Sequence, residues 1–253
     1  QVCAYAHSQG VAIGIHVYIV VLTLQDHLEV SVCGGEGVMA SDDVATEDGY
    51  DLQMQTNHLA HFLLTRELFE ALEVAAAQRG EARVVNHSSN ARKAPYLTLR
   101  ERFLERNGGQ LLGSLDAIKL GGWVRYQQSK LANVVFTYAM HERLQATGSR
   151  VRALVCHPGG ATTALMPTTA EKGIMKQGLA GLLRQTFLSM SHLISQSTED
   201  GSMPLLQCCC DFAAKSGHFY GPHALVRGRS VLLQPESICT DPESYRMLWE
   251  LSE

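Results

Sequence analysis

ARVVNHSSN, residues 82–90, is a mainly apolar run that ends in polar residues. Consecutive apolar residues without a helical period are typical of a short strand buried on both faces of a parallel sheet. The polar end is typical of the loop that follows such a strand. The sequence therefore predicts a central strand at 82–87 whose carboxyl end presents Ser88 and Ser89.

Long helices and a second strand surround this run. Apolar residues recur at helical spacing over 50–73, and a second helix is predicted over 123–147, where Gly148 ends it. Another apolar run at 151–156 predicts a second buried strand. This alternation of strands and helices is typical of an α/β fold with helices on both faces of a parallel sheet. We expect a doubly wound parallel sheet that forms a single domain over residues 1–253.

Shorter elements are predicted nearer the two ends of the chain. A terminal helix is expected from Asp241, whose side chain can cap it ahead of Pro242. Residues 164–200 are expected to carry helices beside the substrate, and with residues 91–122 to line its pocket. The other predicted elements are strands at 17–21, 28–33 and 218–220 and helices at 181–194 and 201–214.

The composition excludes several classes of partner. The formal net charge is -4 and no long cluster of Lys and Arg occurs, so nucleic acid is not expected. The most apolar early stretch, 11–24, is shorter than the roughly 20 residues that cross a bilayer, so no transmembrane segment is expected. The long helices at 50–73 and 123–147 offer surfaces for a homodimer.

The cysteines and histidines do not form a metal-site pattern. The seven cysteines lack regular spacing and include the run 208–210, so we expect free thiols in a reducing compartment, the cytoplasm. On an apolar helix these three adjacent cysteines are expected to pack as small apolar side chains. His58 and His61 share a helix face, but no third ligand accompanies them, so no metal is predicted.

Tyr126-Gln-Gln-Ser-Lys130 is the most informative motif for function. Residues four apart lie on the same face of a helix, about 5.4 Å apart along its axis. A neighbouring cation stabilises a phenolate and moves the pKa of a tyrosine toward the range of an acid–base catalyst. Taken alone, the same spacing is common on amphipathic helices, where it reflects packing plus a solvated charge.

Four motifs in order along the chain favour the catalytic interpretation. They resemble motifs of the short-chain dehydrogenase/reductase family, particularly its retinol-dehydrogenase-like and related bacterial members. The similarity extends from about residue 28 to the end of the sequence. It implies a Rossmann-like fold and an NAD(P)-dependent oxidoreductase that interconverts an alcohol and a carbonyl. The motifs are QTNHLAHFLLT (55–65), RVVNHSSNA (83–91), YQQSKLAN (126–133) and HPGGATT (157–163).

The resemblance implies a role for each matching residue of the proton-transfer machinery. Tyr126 would exchange the proton with the substrate oxygen, and Ser89 would donate a hydrogen bond to that oxygen. Lys130 would lower the pKa of Tyr126 and hold the ribose of the nicotinamide. Asn57 matches the residue that supports a proton-relay water.

The same resemblance implies a cofactor and a substrate class. Pro158, Gly159 and Thr163 match the loop beside the nicotinamide, and Tyr126 and Lys130 would also contact the cofactor. The cofactor would be NAD or NADP, and the sequence does not distinguish them. The substrate would be a lipophilic small molecule that carries a carbonyl or an alcohol.

The amino-terminal region departs from the family pattern. Residues 1–33 lack the Gly-rich turn that binds the dinucleotide phosphates. The family's Asn-Asn-Ala-Gly segment aligns with Gly34–Gly37, where both amides are missing and Glu36 adds a negative charge near an anionic cofactor. A displaced phosphate-binding fingerprint, GEGVMA at 35–40, is not followed by a helical pattern. We expect the amino-terminal part to be atypical and incomplete, and a catalytically inactive scaffold stays open as the alternative function.

Overall fold

The computed structural model describes backbone and side chains for residues 37–39, 41–93, 98–111, 121–160 and 196–253. Before residue 35 it describes the backbone of residues 4–8, 11–15, 17–24 and 27–34. Thr163, the predicted helix at 181–194 and most of the 164–200 region lie outside the described residues.

Strands and helices alternate through the middle of the chain. The strands are β1 (Ala4–Ser8), β2 (Val11–Ile15), β3 (Val17–Leu24), β4 (His27–Gly34), β5 (Ala82–His87), β6 (Val151–Cys156), β7 (Phe219–Pro222) and β8 (Ser230–Leu233). The helices are α1 (Leu52–Met54), α2 (Ala60–Arg79), α3 (Gly121–Thr147), α4 (Thr198–Cys210) and α5 (Pro242–Ser252). A π-helical turn at Gln55–Leu59 joins α1 to α2, and 3₁₀ helices lie at Asn90–Lys93, Glu101–Phe103 and Ser237–Cys239.

One six-stranded sheet forms the centre of the fold, in the order β3-β4-β5-β6-β7-β8. The four inner strands, β4 to β7, pair in parallel, which confirms the predicted parallel sheet. The two edge strands, β3 and β8, pair antiparallel with their neighbours, which the sequence did not predict. Only residues 25 and 26 separate β3 from β4, so no helix crosses between these two strands. β1 and β2 form a separate antiparallel pair.

Both faces of the sheet are covered, because side chains on the inner strands alternate between two hydrophobic clusters. Val84, Ala153 and Val155 pack on one face with residues of α2, α3 and α5. Val85 and Leu154 pack on the other face, which α4 covers. This two-sided burial is the doubly wound arrangement, and it explains why β5 and β6 are apolar at consecutive positions.

The helix predicted over 50–73 is longer and less regular than expected. The carboxylate of Asp51 accepts hydrogen bonds of 3.0 Å from the backbone N–H groups of Gln53 and Met54, which starts the helix. It continues through the π-helical turn to Arg79 and ends at Gly80, whose φ is +99°. This helix packs over β4 and β5 and brings its π-helical turn against α3.

The other described helices lie near the predicted positions, although α4 ends at Cys210 and not at the predicted 214. α3 starts two residues before the predicted 123 and ends at Gly148, whose φ is +67°. α4 begins earlier than predicted because the Ser197 hydroxyl accepts a hydrogen bond of 3.0 Å from the Asp200 N–H. Asp241 caps α5 as predicted, since its carboxylate accepts from the Ser244 N–H at 3.0 Å. Among the described helices, none combines the length and apolarity that a membrane crossing requires.

We expect Leu154→Ala to lower the free energy of unfolding by about 2–5 kcal/mol, because it leaves a cavity under α4. Leu154 is fully buried, at 0% exposure. Leu63→Ala is the matched control, since Leu63 is 49% exposed and its replacement is expected to change stability by less than about 0.5 kcal/mol. Urea unfolding of both variants measures the difference. If both variants lost the same free energy of unfolding, α4 would not pack as a second layer on the sheet.

Candidate active site

The carboxyl ends of β5 and β6 meet one face of α3 at the same edge of the sheet. Ser88 fixes this junction: its N–H donates to the carbonyl of Cys156 at 2.8 Å, and its hydroxyl donates to the carbonyl of Lys130 at 2.7 Å. Ser89, the next residue, hydrogen bonds through its side chain with Tyr126. The loop after β5 therefore uses one serine for anchoring and presents the other to the tyrosine.

Tyr126 and Lys130 occupy one face of α3, one turn apart, as their spacing predicts. The Lys130 ammonium lies 5.8 Å from the centre of the Tyr126 ring. Tyr126 is 7% exposed and Lys130 is 4% exposed. Lys130 Nζ donates a long hydrogen bond of 3.3 Å to the carbonyl of His87, at the end of β5. The structure thus brings three of the predicted residues together: Tyr126 and Lys130 are buried, and Ser89 beside them is half-buried.

Burial sets the proton affinities of this cluster. It raises the pKa of the Tyr126 phenol above its ordinary value, and the hydrogen bond with Ser89 offsets part of the rise. It lowers the pKa of the Lys130 ammonium to about 8. The resemblance implies a lowered pKa for Tyr126, whereas the pKa is raised in the structure. Loss of hydration outweighs any stabilisation of the phenolate by Lys130. At neutral pH the phenol is therefore protonated.

Asn57 lies in the π-helical turn, and its side chain hydrogen bonds both with the segment after β4 and with α3. Its side-chain amide donates to the carbonyl of Val38 at 2.9 Å and to the hydroxyl of Ser129 at 2.8 Å. Its side-chain oxygen accepts from the N–H of Val38 at 2.7 Å. A Cβ on Gly37 would lie 2.7 Å from Asn57 Oδ1 and 3.1 Å from Lys130 Nζ, so only glycine allows this approach. Single π-helical turns are frequent at functional sites.

The loop after β6 is tied to the turn that follows β7. The carbonyl of Pro158 accepts a hydrogen bond of 2.7 Å from the side chain of Gln196. Gly159 has φ +70°, and a Cβ on it would lie 2.3 Å from the carbonyl oxygen of Val226. The requirement for glycine at this position therefore comes from the chain itself. Thr163, the third predicted residue of this loop, lies outside the described residues.

Asn133 belongs to the cluster, although the sequence analysis did not single it out. Its amide donates to the carbonyl of Asn57 at 2.9 Å and to the carbonyl of His87 at 3.1 Å. It follows Lys130 by three residues within the motif YQQSKLAN, so helical spacing could have placed it on the same face. Arg92 was missed as well: its guanidinium donates to the carbonyl of Ser89 at 3.0 Å. No sequence pattern pairs Arg92 with its carboxylate partner, Glu236, because 144 positions separate them.

His58 and His61 are buried side chains of the helix interior. His58 hydrogen bonds with Asn133 Oδ1 at 3.2 Å and with the hydroxyl of Ser252 at 3.1 Å. Burial lowers the pKa of His58 to about 4 and that of His61 to about 3, so both are neutral at pH 7. Within the described ranges, no group of three or more His, Cys, Asp or Glu side chains is placed to hold a metal ion.

Comparisons with known proteins point to dehydrogenases. A stretch of 137 residues, 54% of the chain, is 37% identical to human retinol dehydrogenase 13, of which it covers 36%. A second match, 35% identical over 153 residues, pairs 58% of the chain with 42% of an uncharacterized oxidoreductase of Schizosaccharomyces pombe. A solved structure of an uncharacterized protein from Mycobacterium paratuberculosis aligns with a TM-score of 0.56 and 27% identity, over 89% of this chain and 66% of that one. No model of a known protein family matches the chain.

These matches extend over only part of each relative. The chain spans between 36% and 42% of the length of the two curated relatives above.

We expect Gly37→Ala to destabilise the protein by about 1–3 kcal/mol, because the new methyl group would overlap the side chain of Asn57. The same substitution in an Asn57→Ala background is expected to cost less, since the overlapping oxygen is gone. Urea unfolding of both single variants and the double variant measures the coupling. If the loss of stability in the double variant equalled the sum of the two single losses, Gly37 would not lie against Asn57.

The burial of Lys130 predicts a specific dependence of stability on pH. Its pKa is about 8 in the folded chain and 10.5 ordinarily, so between these values the unfolded chain binds more protons. Stability should therefore rise with pH across this window. Relative to Lys130→Met, the wild type is expected to gain about 2–3 kcal/mol between pH 7 and pH 10. A difference that stays constant over this range would contradict the buried position of the ammonium.

Proposed function

Because this chain belongs to the short-chain dehydrogenase/reductase family, within its retinol-dehydrogenase-like branch, we propose that it is an NAD(P)-dependent oxidoreductase. Its substrate would be a lipophilic small molecule on which it interconverts a carbonyl and an alcohol. One observation carries this proposal. The buried Tyr126 shares one face of α3 with the buried Lys130, and Ser89 from the loop after β5 hydrogen bonds with Tyr126. A phenol, a hydroxyl and an ammonium together can move a proton to and from an oxygen atom.

Tyr126 serves as the proton donor in the direction of carbonyl reduction. Its raised pKa keeps the phenol protonated at neutral pH, which is the form that a general acid requires. Ser89, already hydrogen bonded with Tyr126, donates to the same substrate oxygen and stabilises the charge that develops there. The phenolate form, which would accept a proton from an alcohol, is scarce near pH 7, so alcohol oxidation is expected to become faster as the pH rises.

Lys130 supplies the binding group for the cofactor's ribose. Among the residues that the structure describes, its ammonium makes one hydrogen bond, so donors remain for a hydroxyl-bearing ligand. The bound NAD(P)H would supply the hydride. Tyr126, Pro158 and Gly159 complete the contacts that we assign to the nicotinamide end, and Thr163 stays a prediction.

Asn57 acts by shaping the space around Lys130. Its amide fixes Val38, which places Gly37 against the ammonium, and it also holds the hydroxyl of Ser129 on α3. A shift of this amide would change the position of the Lys130 ammonium relative to any ligand.

A catalytically inactive scaffold is the second candidate function, and the amino-terminal topology favours it. Dinucleotides bind with their pyrophosphate at the amino terminus of a helix that follows a strand of the parallel sheet. β3 and β4 are instead an antiparallel pair joined by two residues, so this pair supplies no such helix. The described residues fit the nicotinamide end of the cofactor and not its pyrophosphate.

Other features of the proposal rest on the sequence. The preference between NAD and NADP, the homodimer and the cytoplasmic location stay predictions. The lipophilic substrate is supported by the names of the curated relatives, several of which are retinol dehydrogenases.

Titration calorimetry with NADH and NADPH, followed by turnover of a series of long-chain aldehydes, tests the proposal. We expect binding of at least one nucleotide and reduction of an aldehyde. Tyr126→Phe is expected to lower kcat/KM about 10²–10⁴-fold, because the proton donor is lost while the aromatic ring stays in place. Tyr138→Phe is the matched control: Tyr138 is also 7% exposed on α3, and its hydroxyl has no hydrogen-bond partner in the described structure.

Two results would overturn the proposed function. One is the absence of binding for both nucleotides at millimolar concentration, which would favour the inactive scaffold. The other is equal turnover by Tyr126→Phe and Tyr138→Phe, which would remove Tyr126 from the chemistry.

A further inference from the structure

Arg92 is a buried cation next to the proton-transfer cluster. It lies in the 3₁₀ helix Asn90–Lys93 that follows Ser89, and it is 1% exposed. Its guanidinium pairs with the carboxylate of Glu236 through two hydrogen bonds, 3.1 Å from Nε to Oε2 and 2.9 Å from Nη2 to Oε1. The guanidinium also lies 4.6 Å from the centre of the Phe219 ring, on β7. Two parallel bonds and a ring contact hold this planar group in one orientation.

The remaining donors of Arg92 are directed at the backbone of Ser89. Nη1 donates to the Ser89 carbonyl at 3.0 Å, and the Arg92 N–H donates to the same oxygen at 3.2 Å. The Ser89 hydroxyl accepts from the Ala91 N–H at 3.2 Å. The backbone around Ser89 is therefore fixed by Arg92 on one side and by its own turn on the other.

Arg92 is also connected to α3, directly beside Tyr126. The side-chain amide of Gln127 donates to the Arg92 carbonyl at 2.8 Å. One residue thus joins the loop that carries Ser89 to the helix that carries Tyr126, while Glu236 and Phe219 hold its guanidinium. The relative position of the two hydroxyl groups depends on these bonds.

We infer that Arg92, held by Glu236, is a positioning residue that keeps the Ser89 hydroxyl against Tyr126. This inference rests on the proposed function, in which Ser89 and Tyr126 act on one oxygen atom. The alternative is that Arg92 only stabilises the fold, as any buried ion pair can.

A second buried ion pair in this chain provides a matched control. Arg83 on β5 is 0% exposed, pairs with Glu81 and donates to the carbonyl of Cys208 at 2.8 Å. It lies near the amino end of β5, whereas Ser89 follows the carboxyl end, so the two pairs resemble each other in burial and differ in location. Each guanidinium donates two hydrogen bonds to its carboxylate partner, and a lysine cannot reproduce both. Arg83→Lys and Arg92→Lys should therefore both weaken their ion pairs, but only Arg92→Lys should affect Ser89.

The test follows the ionisation of Tyr126 without any turnover. A fluorinated tyrosine at position 126, whose lower intrinsic pKa brings its titration into the range where the protein is folded, reports ionisation by ¹⁹F NMR. The hydrogen bond with Ser89 lowers the pKa of Tyr126, so Ser89→Ala should raise it by about 0.5–1. We expect Arg92→Lys to raise it by a similar amount and Arg83→Lys to leave it unchanged. Arg92→Lys added to Ser89→Ala should cause no further rise.

Glu236→Asp is the second variant, because it keeps the charge of the pair and moves the carboxylate away from the guanidinium. Glu236→Asp replaces Arg92→Lys if the latter does not fold, and the same rise in the pKa of Tyr126 is expected. If Arg92→Lys or Glu236→Asp shifts the Tyr126 titration no more than Arg83→Lys does, Arg92 is structural and the inference is wrong. Turnover is a separate measurement: a wild type that reduces no aldehyde would overturn the proposed function, while the titration would still decide the role of Arg92.

Discussion

The structure depends on the burial of one ammonium group. Lys130 is 4% exposed, and burial lowers its pKa to about 8, yet among the described residues it makes a single hydrogen bond of 3.3 Å. Removal of a charge from water is costly unless partners replace the lost hydration. A methionine at this position would fill the same space at a lower cost. A buried charge with few partners is typical of functional sites, and the cofactor that we propose would complete its hydrogen bonding.

In the described part of the chain, hydrogen bonds between neutral groups hold the elements that surround this ammonium. Asn57, Ser129 and Asn133 link the π-helical turn, α3 and the end of β5 through amide, hydroxyl and carbonyl groups. A carboxylate in their place would pair with Lys130 and raise its pKa. Amides fix the geometry of the site without neutralising the cation. Ion pairs lie at its margins: Arg92 and Lys93 pair with Glu236 next to Ser89, and Arg125 pairs with Asp51 at the start of α1.

The sequence predicted the elements whose signal is local. β5 and β6 have the predicted bounds, because consecutive apolar residues reflect burial between two helical layers. Tyr126 and Lys130 share a face because helical spacing determines it. β8 and the antiparallel pairing of β3 were missed, since edge strands take their direction from tertiary pairing. The pKa of Tyr126 was predicted to fall and instead rises, because burial cannot be read from the spacing of a phenol and an ammonium.

The amino-terminal strands and the proton-transfer cluster are physically coupled. β4 pairs in parallel with β5, with Gly34 opposite Asn86, so its carboxyl end reaches the same edge as Ser89. Three residues later, Gly37 lies against Lys130, and both backbone groups of Val38 bind Asn57. A shift of the β4 register by one residue would exchange the two faces of the strand and displace this contact. The position of the ammonium therefore depends on correct pairing of β4, and the atypical amino-terminal region is part of the site's support, whichever of the two functions the chain performs.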